Sequence, residues 1–183
     1  MIVVTAAIIE KDGLVLAARR GKGKHLAGYW EFPGGKLKKG ESPERCLARE
    51  LKEEFDVETS VGPIFAENTH KYDEKTIRLL AYLVTHNKGN FKLIDHDKLL
   101  WLAPEDLSTV NWAPADIPLV EKYQLIKSTQ SYYSKNAQAY AAETISLDLS
   151  EQYQPFLTNL KAGGHILEMG CGSGRDSCEF IHC

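Results

Sequence analysis

The fold of this chain is decided by one continuous segment: Gly34-Gly35-Lys36-Leu37-Lys38-Lys39-Gly40-Glu41, then Ser42 to Ala48, then Arg49-Glu50-Leu51-Lys52-Glu53-Glu54-Phe55-Asp56-Val57. Ser42 is a favourable N-cap and Pro43 a favourable first helical residue, so a helix is predicted over residues 43–55. At about 100° per residue, this helix has an apolar face that we expect to be buried. That face consists of Leu47, Leu51 and Phe55.

A second face of the same helix is acidic. It carries Glu50, Glu53 and Glu54, which are related by i,i+3 and i,i+4 spacing. Like charges at that spacing repel each other by about 0.2–0.5 kcal/mol per pair. A divalent cation would turn this repulsion into attraction, and hard carboxylate oxygens suit Mg²⁺ or Mn²⁺. The acidic face therefore predicts a divalent metal site.

The spacing of the whole segment resembles the Nudix box. It runs Gly35, five residues, Glu41, seven residues, and then Arg-Glu-Leu-x-Glu-Glu from Arg49. One departure is Asp56, which stands where the family usually has glycine after the helix. Asp adopts the left-handed conformation less readily than Gly, so the departure concerns the helix end and no expected ligand. The resemblance covers about residues 1–127 and is closest to the MutT-like branch, with support from Trp30 to Lys36 and Ala113 to Pro118.

The resemblance implies Mg²⁺-dependent hydrolysis of a nucleoside triphosphate to the monophosphate and pyrophosphate. Glu53 and Glu54 match the metal-binding pair of the family. Glu50 matches a residue that binds metal or that orients and deprotonates the attacking water. Gly34 matches a position whose backbone carbonyl can join the metal, because a glycine lets the backbone approach closely.

Two further parts of the expected site come from the resemblance. Arg49 matches the arginine that holds the carboxylates by salt bridges, and we count it with Glu50 and Glu53 among the catalytic residues. Glu41 is expected to be structural. A carboxylate before a late strand often completes the metal site, and Asp95 is preferred over Asp97 for this part, with His96 between them interpreted as a loop residue.

Three residues are expected to bind the substrate. Arg20 aligns with an arginine that contacts phosphate or base, and Phe32 is either a core or a base-stacking aromatic residue. Asp116 aligns with the position that reads the base edge. An ionised Asp only accepts hydrogen bonds, so it suits the amino group of cytosine or the N1 and N2 donors of guanine.

The leading hypothesis is therefore an 8-oxo-dGTP diphosphatase-like enzyme that removes damaged nucleotides from the pool. A CTP or modified dCTP pyrophosphohydrolase stays open as the alternative. A third hypothesis is a non-catalytic nucleotide-binding Nudix module, against which the intact acidic face argues.

The predicted fold class is α/β, with a mixed sheet between helices in a Nudix α/β/α sandwich. A hairpin is expected from the strands 2–9 and 14–18, which are joined through Lys11-Asp12-Gly13. A second amphipathic helix is expected over 117–126. The further strand candidates are 58–68, 77–85 and 98–102.

Composition excludes several other classes of function. The chain has 183 residues and a net charge of −3, which gives no electrostatic case for binding nucleic acid or a membrane surface. No apolar run reaches the ~18 residues that a transmembrane helix needs. The four cysteines form no Cys-x-x-Cys pair and no disulfide framework, so a reducing cytoplasm is the expected setting.

Residues 128–183 have a different pattern, and we expect a second domain there. The run Glu168-Met169-Gly170-Cys171-Gly172-Ser173-Gly174 resembles motif I of S-adenosylmethionine-dependent methyltransferases. It predicts a strand at 165–169, a glycine-rich turn and a helix start, the first unit of a Rossmann-like fold. The chain ends nine residues past Gly174, before the acidic residue expected about 20 residues after the turn. We therefore expect a mostly helical, truncated fragment that binds no methyl donor and through which an oligomer could form.

Overall fold

The structure is a computed structural model, and it describes residues 1–73, 75–161 and 164–181. Two compact units divide the chain, Met1–Ser128 and Thr129–Cys183. The elements are β1 (Ile2–Lys11), β2 (Leu14–Arg20), β3 (Trp30–Glu31), β4 (Gly34–Lys36), α1 (Pro43–Phe55), β5 (Glu58–Lys71), β6 (Thr76–Lys88), β7 (His96–Leu102), a 3₁₀ helix (Pro104–Thr109), α2 (Ile117–Thr144), α3 (Ser150–Leu157) and α4 (Arg175–Ile181).

The first unit is organised around β1, which has partners on both sides. β1 runs parallel to β6 and antiparallel to β4, and it forms the predicted hairpin with β2. β6 pairs antiparallel with β5, while β2 pairs antiparallel with both β3 and β7. The sheet is therefore mixed, as the sequence predicted.

Two hydrophobic cores cover the two faces of this sheet, and successive residues of β1 alternate between them. Ala6 and Ile8 belong to one core, while Ala7 and Ile9 belong to the other, as the period of two in a strand requires. The predicted apolar face of α1 is fully buried in the second core. Leu119, Val120 and Tyr123 of α2 are buried in the first core. The predicted α/β fold, with a mixed sheet between helices, is thus confirmed.

Helix α1 begins and ends where the sequence predicts. The Ser42 hydroxyl accepts a hydrogen bond from the Arg45 backbone N–H at 3.3 Å. Asp56 ends the helix in the left-handed conformation, with φ 55°, and its N–H donates to the Lys52 carbonyl. Its carboxylate pairs with Lys52 at 2.6 Å and with Lys92 at 2.7 Å. Asp56 therefore fills the position that is usually glycine.

The predicted end of the second helix and the predicted strand at 165–169 were wrong. Helix α2 has 28 residues and continues to Thr144, well past the predicted end at residue 126, because no Gly or Pro interrupts it after Pro118. The strand expected at 165–169 is absent from this segment, where residues 165–168 have no regular structure. Since a strand needs a hydrogen-bonded partner, the absence of any strand from the described part of the second unit explains this result.

The second unit contains the end of α2 together with α3 and α4. Tyr153 donates a hydrogen bond to the Asp176 carboxylate at 2.5 Å, and its ring lies 5.2 Å from that of Phe180. Among the described residues of both units, no helix combines the length and apolar character that crossing a membrane would need.

Candidate active site

A cleft of about 830 Å³ opens in the first unit, and most of the predicted site residues line it. Its wall combines residues of β1, β2, β4, α1 and β7 with residues of the segment before α2. Arg49 and Glu53 do not belong to this lining. Seven predicted residues do: Arg20, Phe32, Gly34, Glu50, Glu54, Asp95 and Asp116.

Two glycines allow the backbone of β4 to form the floor of the cleft. A Cβ atom on Gly34 would collide with the backbone carbonyl of Thr5 in β1. A Cβ atom on Gly35 would collide with the carboxyl group of Glu50. Glycine at position 34 therefore permits the close approach of β4 to β1, and glycine at position 35 leaves room for the Glu50 carboxyl group in its present position.

Arg49 holds three carboxylates at one side of the helix. Its Nε and Nη2 atoms donate to the two oxygens of Glu41 at 2.8 and 3.0 Å. Its Nη1 atom lies 2.9 Å from both Glu50 and Glu53. Arg49 lowers the pKa of Glu41 to about 2, and these pairs raise the pKa of the Arg49 guanidinium in turn. Glu41 therefore has the structural contacts that the sequence predicted, while the catalytic part of Arg49 stays a prediction.

Glu54 is one of two enclosed carboxylates of the acidic face, with a side chain 18% exposed against 13% for Glu50. Its Oε2 atom is buried and has no hydrogen-bond partner. Burial raises the pKa of Glu54 to about 7; nearby His96 opposes this shift, while Glu50 adds to it. Glu53, by contrast, is 53% exposed and faces Arg49 and Lys38.

Glu31 and His96 lie in the cleft although the sequence did not single them out as site residues. The Nη1 atom of Arg20 is 2.5 Å from Glu31 Oε2, and His96 Nε2 is 2.9 Å from Glu31 Oε1. The interpretation of His96 as a loop residue was wrong, because it pairs with Arg20 at the start of β7 and is buried. The signal that could have found both residues is this cross-strand pairing, which depends on a register between distant segments.

The two candidate loop carboxylates face different partners. Asp95 lines the cleft and pairs with Lys24 at 3.0 Å. Asp97 lies outside the cleft lining and pairs with Arg19 at 2.6 Å, which lowers its pKa. This placement agrees with the preference for Asp95, whose metal-binding role stays a prediction.

Asp116 and Phe32 meet in the lining of the cleft. Asp116 Oδ1 accepts a hydrogen bond from the Phe32 backbone N–H at 3.0 Å. The Phe32 side chain is 2% exposed and packs on Trp112, so it is a core residue whose position also borders the cleft. Burial raises the pKa of Asp116 well above its ordinary value, and the nearby Glu31 adds to this shift.

The carboxylates of the cleft do not converge on one point. Within residues 1–73, 75–161 and 164–181, no three His, Cys, Asp or Glu side chains come close enough together to enclose an ion. Glu50 and Glu54 nevertheless both line the cleft, where they present hard oxygen donors.

Comparison with known proteins identifies the family. A model described as the NUDIX domain matches residues 4–122, and the chain therefore belongs to the Nudix family. It is 39% identical over 130 residues to the CTP pyrophosphohydrolase of Escherichia coli K12, covering 71% of this chain and 96% of that protein. It is 38% identical over 117 residues to the putative 8-oxo-dGTP diphosphatase 2 of Mycobacterium tuberculosis, covering 62% and 82%.

A solved structure has the same fold. The solution structure of the E. coli ORF135 protein superposes with a TM-score of 0.64 at 40% identity, covering 70% of this chain and 92% of that one. The family match ends at residue 122, so it does not reach residues 128–183, and the methyltransferase-like fragment predicted there is not supported.

Proposed function

We propose that the first unit is a Nudix hydrolase that cleaves nucleoside triphosphates to the monophosphate and pyrophosphate, with a divalent cation as cofactor. The observation that carries this proposal is the shared cleft, in which Glu50 and Glu54 of the box helix face the same space as Arg20 and Asp116. Membership of the Nudix family and the names of the relatives support it. We place the boundary of this domain near residue 128 and leave the second unit out of the proposal.

The residues of the cleft fit Mg²⁺ or Mn²⁺. Glu54 Oε2 is a buried oxygen without a hydrogen-bond partner, and a cation would stabilise the ionised form of this enclosed carboxylate. Glu50, Glu54 and Asp95 do not enclose an ion in this structure, so their side chains would have to move closer to hold it together with the Gly34 carbonyl. The exposed Glu53 could turn from Arg49 to join them. When bound, the cation neutralises phosphate charge and makes phosphorus easier to attack.

The protein groups have separate tasks in this proposal. Glu50, besides holding the ion, orients the attacking water and accepts its proton, and its carboxylate is held by Arg49 at 2.9 Å. Arg20 offers positive charge to the phosphates from the other wall, where Glu31 and the carbonyl of His25 hold its guanidinium. Together these groups align a triphosphate and a water molecule, and such positioning and charge stabilisation are the main contributions of a protein to phosphoryl transfer.

Asp116 is the residue that we propose reads the base. The raised pKa of Asp116 favours the protonated carboxyl group. This form can donate a hydrogen bond as well as accept one. Protonated Asp116 can therefore form hydrogen bonds with a wider set of base edges than an ionised Asp. We propose 8-oxo-dGTP as the first substrate, which would make the protein a nucleotide-pool sanitising enzyme. The sequence similarity to a CTP pyrophosphohydrolase over nearly the whole of that protein favours CTP or a modified dCTP as the second candidate.

The test is pyrophosphate release with Mg²⁺ from 8-oxo-dGTP, dGTP, CTP, dCTP and 5-methyl-dCTP. Preference for 8-oxo-dGTP supports pool sanitation, and preference for cytidine nucleotides supports the second candidate. Release from none of them contradicts the proposal and favours a binding module.

Glu53→Gln and Glu54→Gln test the metal residues in the same assay. We expect each to lower kcat by roughly 100-fold or more with little change in thermal stability. Glu58→Gln is the matched control, because Glu58 is an exposed residue outside the cleft. Unchanged turnover in Glu53→Gln would remove that residue from the proposed metal site.

A further inference from the structure

His96 lies between two carboxylates that face the cleft from different elements. Its Nε2 atom is 2.9 Å from Glu31 Oε1, and its Nδ1 atom is 3.7 Å from Glu54 Oε2. The imidazole side chain is 5% exposed. His96 of β7 therefore connects Glu31 of β3 with Glu54 of α1 through side-chain contacts.

The orientation of the imidazole ring is fixed by two contacts, with Phe55 and with Glu31. The ring stacks on Phe55 with centroids 5.0 Å apart and an interplanar angle of 23°. Phe55 is itself fully buried in the core beneath α1. Glu31 holds the Nε2 side, and Arg20 in turn holds Glu31. The Nδ1 side consequently points toward Glu54 in a direction that the fold determines.

The two facing atoms are both without other partners. His96 Nδ1 and Glu54 Oε2 are buried, and neither has a hydrogen-bond partner. Buried polar atoms are normally hydrogen-bonded, so two such atoms facing each other at 3.7 Å mark a contact that a small movement of the carboxylate would complete. Apo geometry of this kind is often long and tightens when a ligand binds.

We propose that His96 is a positioning residue that orients Glu54 for a divalent cation. Because carboxylates only accept hydrogen bonds, His96 holds both Glu31 and Glu54 as an imidazolium, which donates from Nε2 and from Nδ1. Its Nδ1–H is directed to Glu54 Oε2, which leaves Oε1 of the same carboxylate for the cation. Glu31 and Phe55 act through His96 by holding its ring. This inference rests on the proposed function for the identity of the ligand, and partners of this kind that orient a metal-binding group typically contribute 10–100-fold to metal affinity.

The test is Mn²⁺ binding to the full chain, measured by the electron paramagnetic resonance signal of free Mn²⁺. His96→Leu should weaken binding about 10–100-fold. His96→Asn, whose amide nitrogen can replace Nδ1, should restore much of the affinity, whereas His96→Gln, which replaces Nε2, should not. The pyrophosphate assay should show the same order in its Mg²⁺ requirement, with KM for the nucleotide little changed.

A matched control lies outside the cleft. His86 also packs on an aromatic ring, that of Phe91 at 4.9 Å, and its Nε2 atom contacts the Gly89 carbonyl. His86→Leu should leave Mn²⁺ affinity unchanged. Equal Mn²⁺ affinity in wild type, His96→Leu and His96→Asn would overturn the inference even if the variants melt at lower temperature.

The two proposals can fail separately. If the wild type releases pyrophosphate and His96→Leu binds Mn²⁺ as tightly as it does, only the inference about His96 fails. If no nucleotide is hydrolysed but Mn²⁺ affinity falls in His96→Leu and recovers in His96→Asn, the proposed function fails and the inference stands. A wild type that binds no Mn²⁺ overturns the inference directly.

Discussion

Both units of this chain contain a glycine-rich segment followed by a helix, but among the residues that the structure describes only the first unit has a hydrophobic core around it. Gly34 and Gly35 lie beside β1 and precede a helix whose apolar face is buried. Gly172 and Gly174 precede α4, yet α3 and α4 have no buried residue. Leu167 and Met169 are 87% and 88% exposed. A glycine turn thus becomes a defined cleft only where paired strands and a packed helix fix its surroundings.

Matched truncations of one leucine in each unit give the strongest test of this comparison. Leu51→Ala should lower the free energy of unfolding by about 2–5 kcal/mol, because Leu51 is fully buried beneath the sheet. Leu167→Ala should change it by less than about 0.5 kcal/mol, because the side chain is exposed. Urea unfolding followed by tryptophan fluorescence is the measurement.

The fluorescence signal suits this purpose because Trp30, Trp101 and Trp112 all lie in the first unit. Circular dichroism over the same urea range adds the helices of the second unit to the signal. A loss in Leu167→Ala as large as that in Leu51→Ala would break the comparison, since it would mean that this exposed leucine supports the folded state.

The elements that could be predicted from the sequence are those with local causes. The bounds of α1 follow from Ser42, Pro43 and the apolar period, all within one segment. The setting of Glu31 and His96 could not be predicted, because it arises where β2 pairs with β3 and β7. The strand expected at 165–169 was wrong for a related reason. Its local pattern favours a strand, but a strand also needs partner strands, and the described part of the second unit has none.

Asp116 is a buried ionisable residue of the first unit, and its contribution to the free energy of unfolding should depend on pH. A carboxyl whose pKa is raised by burial binds its proton more tightly in the folded chain than in the unfolded one. Its contribution to stability is therefore full below the ordinary pKa of 3.8 and is lost as pH rises through the raised value. Asp116→Asn keeps an oxygen for the Phe32 N–H but cannot ionise, so we expect it to be about 0.5–2 kcal/mol more stable than wild type at neutral pH.

The measurement is thermal unfolding of Asp116→Asn and wild type from pH 4 to pH 8, in which the difference should grow with pH. Asp106→Asn is the control, since Asp106 is an exposed residue of the 3₁₀ helix and its substitution should give no such trend. A wild type that gains stability over Asp116→Asn as pH rises would contradict the raised pKa.

The smallest expected effect concerns two residues with nearly the same backbone angle, Asp56 with φ 55° and Gly172 with φ 54°. Asp56→Ala should lower the free energy of unfolding by about 1 kcal/mol, because alanine adopts this conformation poorly and loses the contacts with Lys52 and Lys92. Asp56→Gly should stay within about 0.5 kcal/mol of wild type, because glycine adopts φ > 0 freely. Gly172→Asp should leave the fluorescence-detected unfolding of the first unit unchanged. If Asp56→Ala were as stable as wild type, the left-handed helix end would contribute nothing to the first unit, and this local contrast between the two units would disappear.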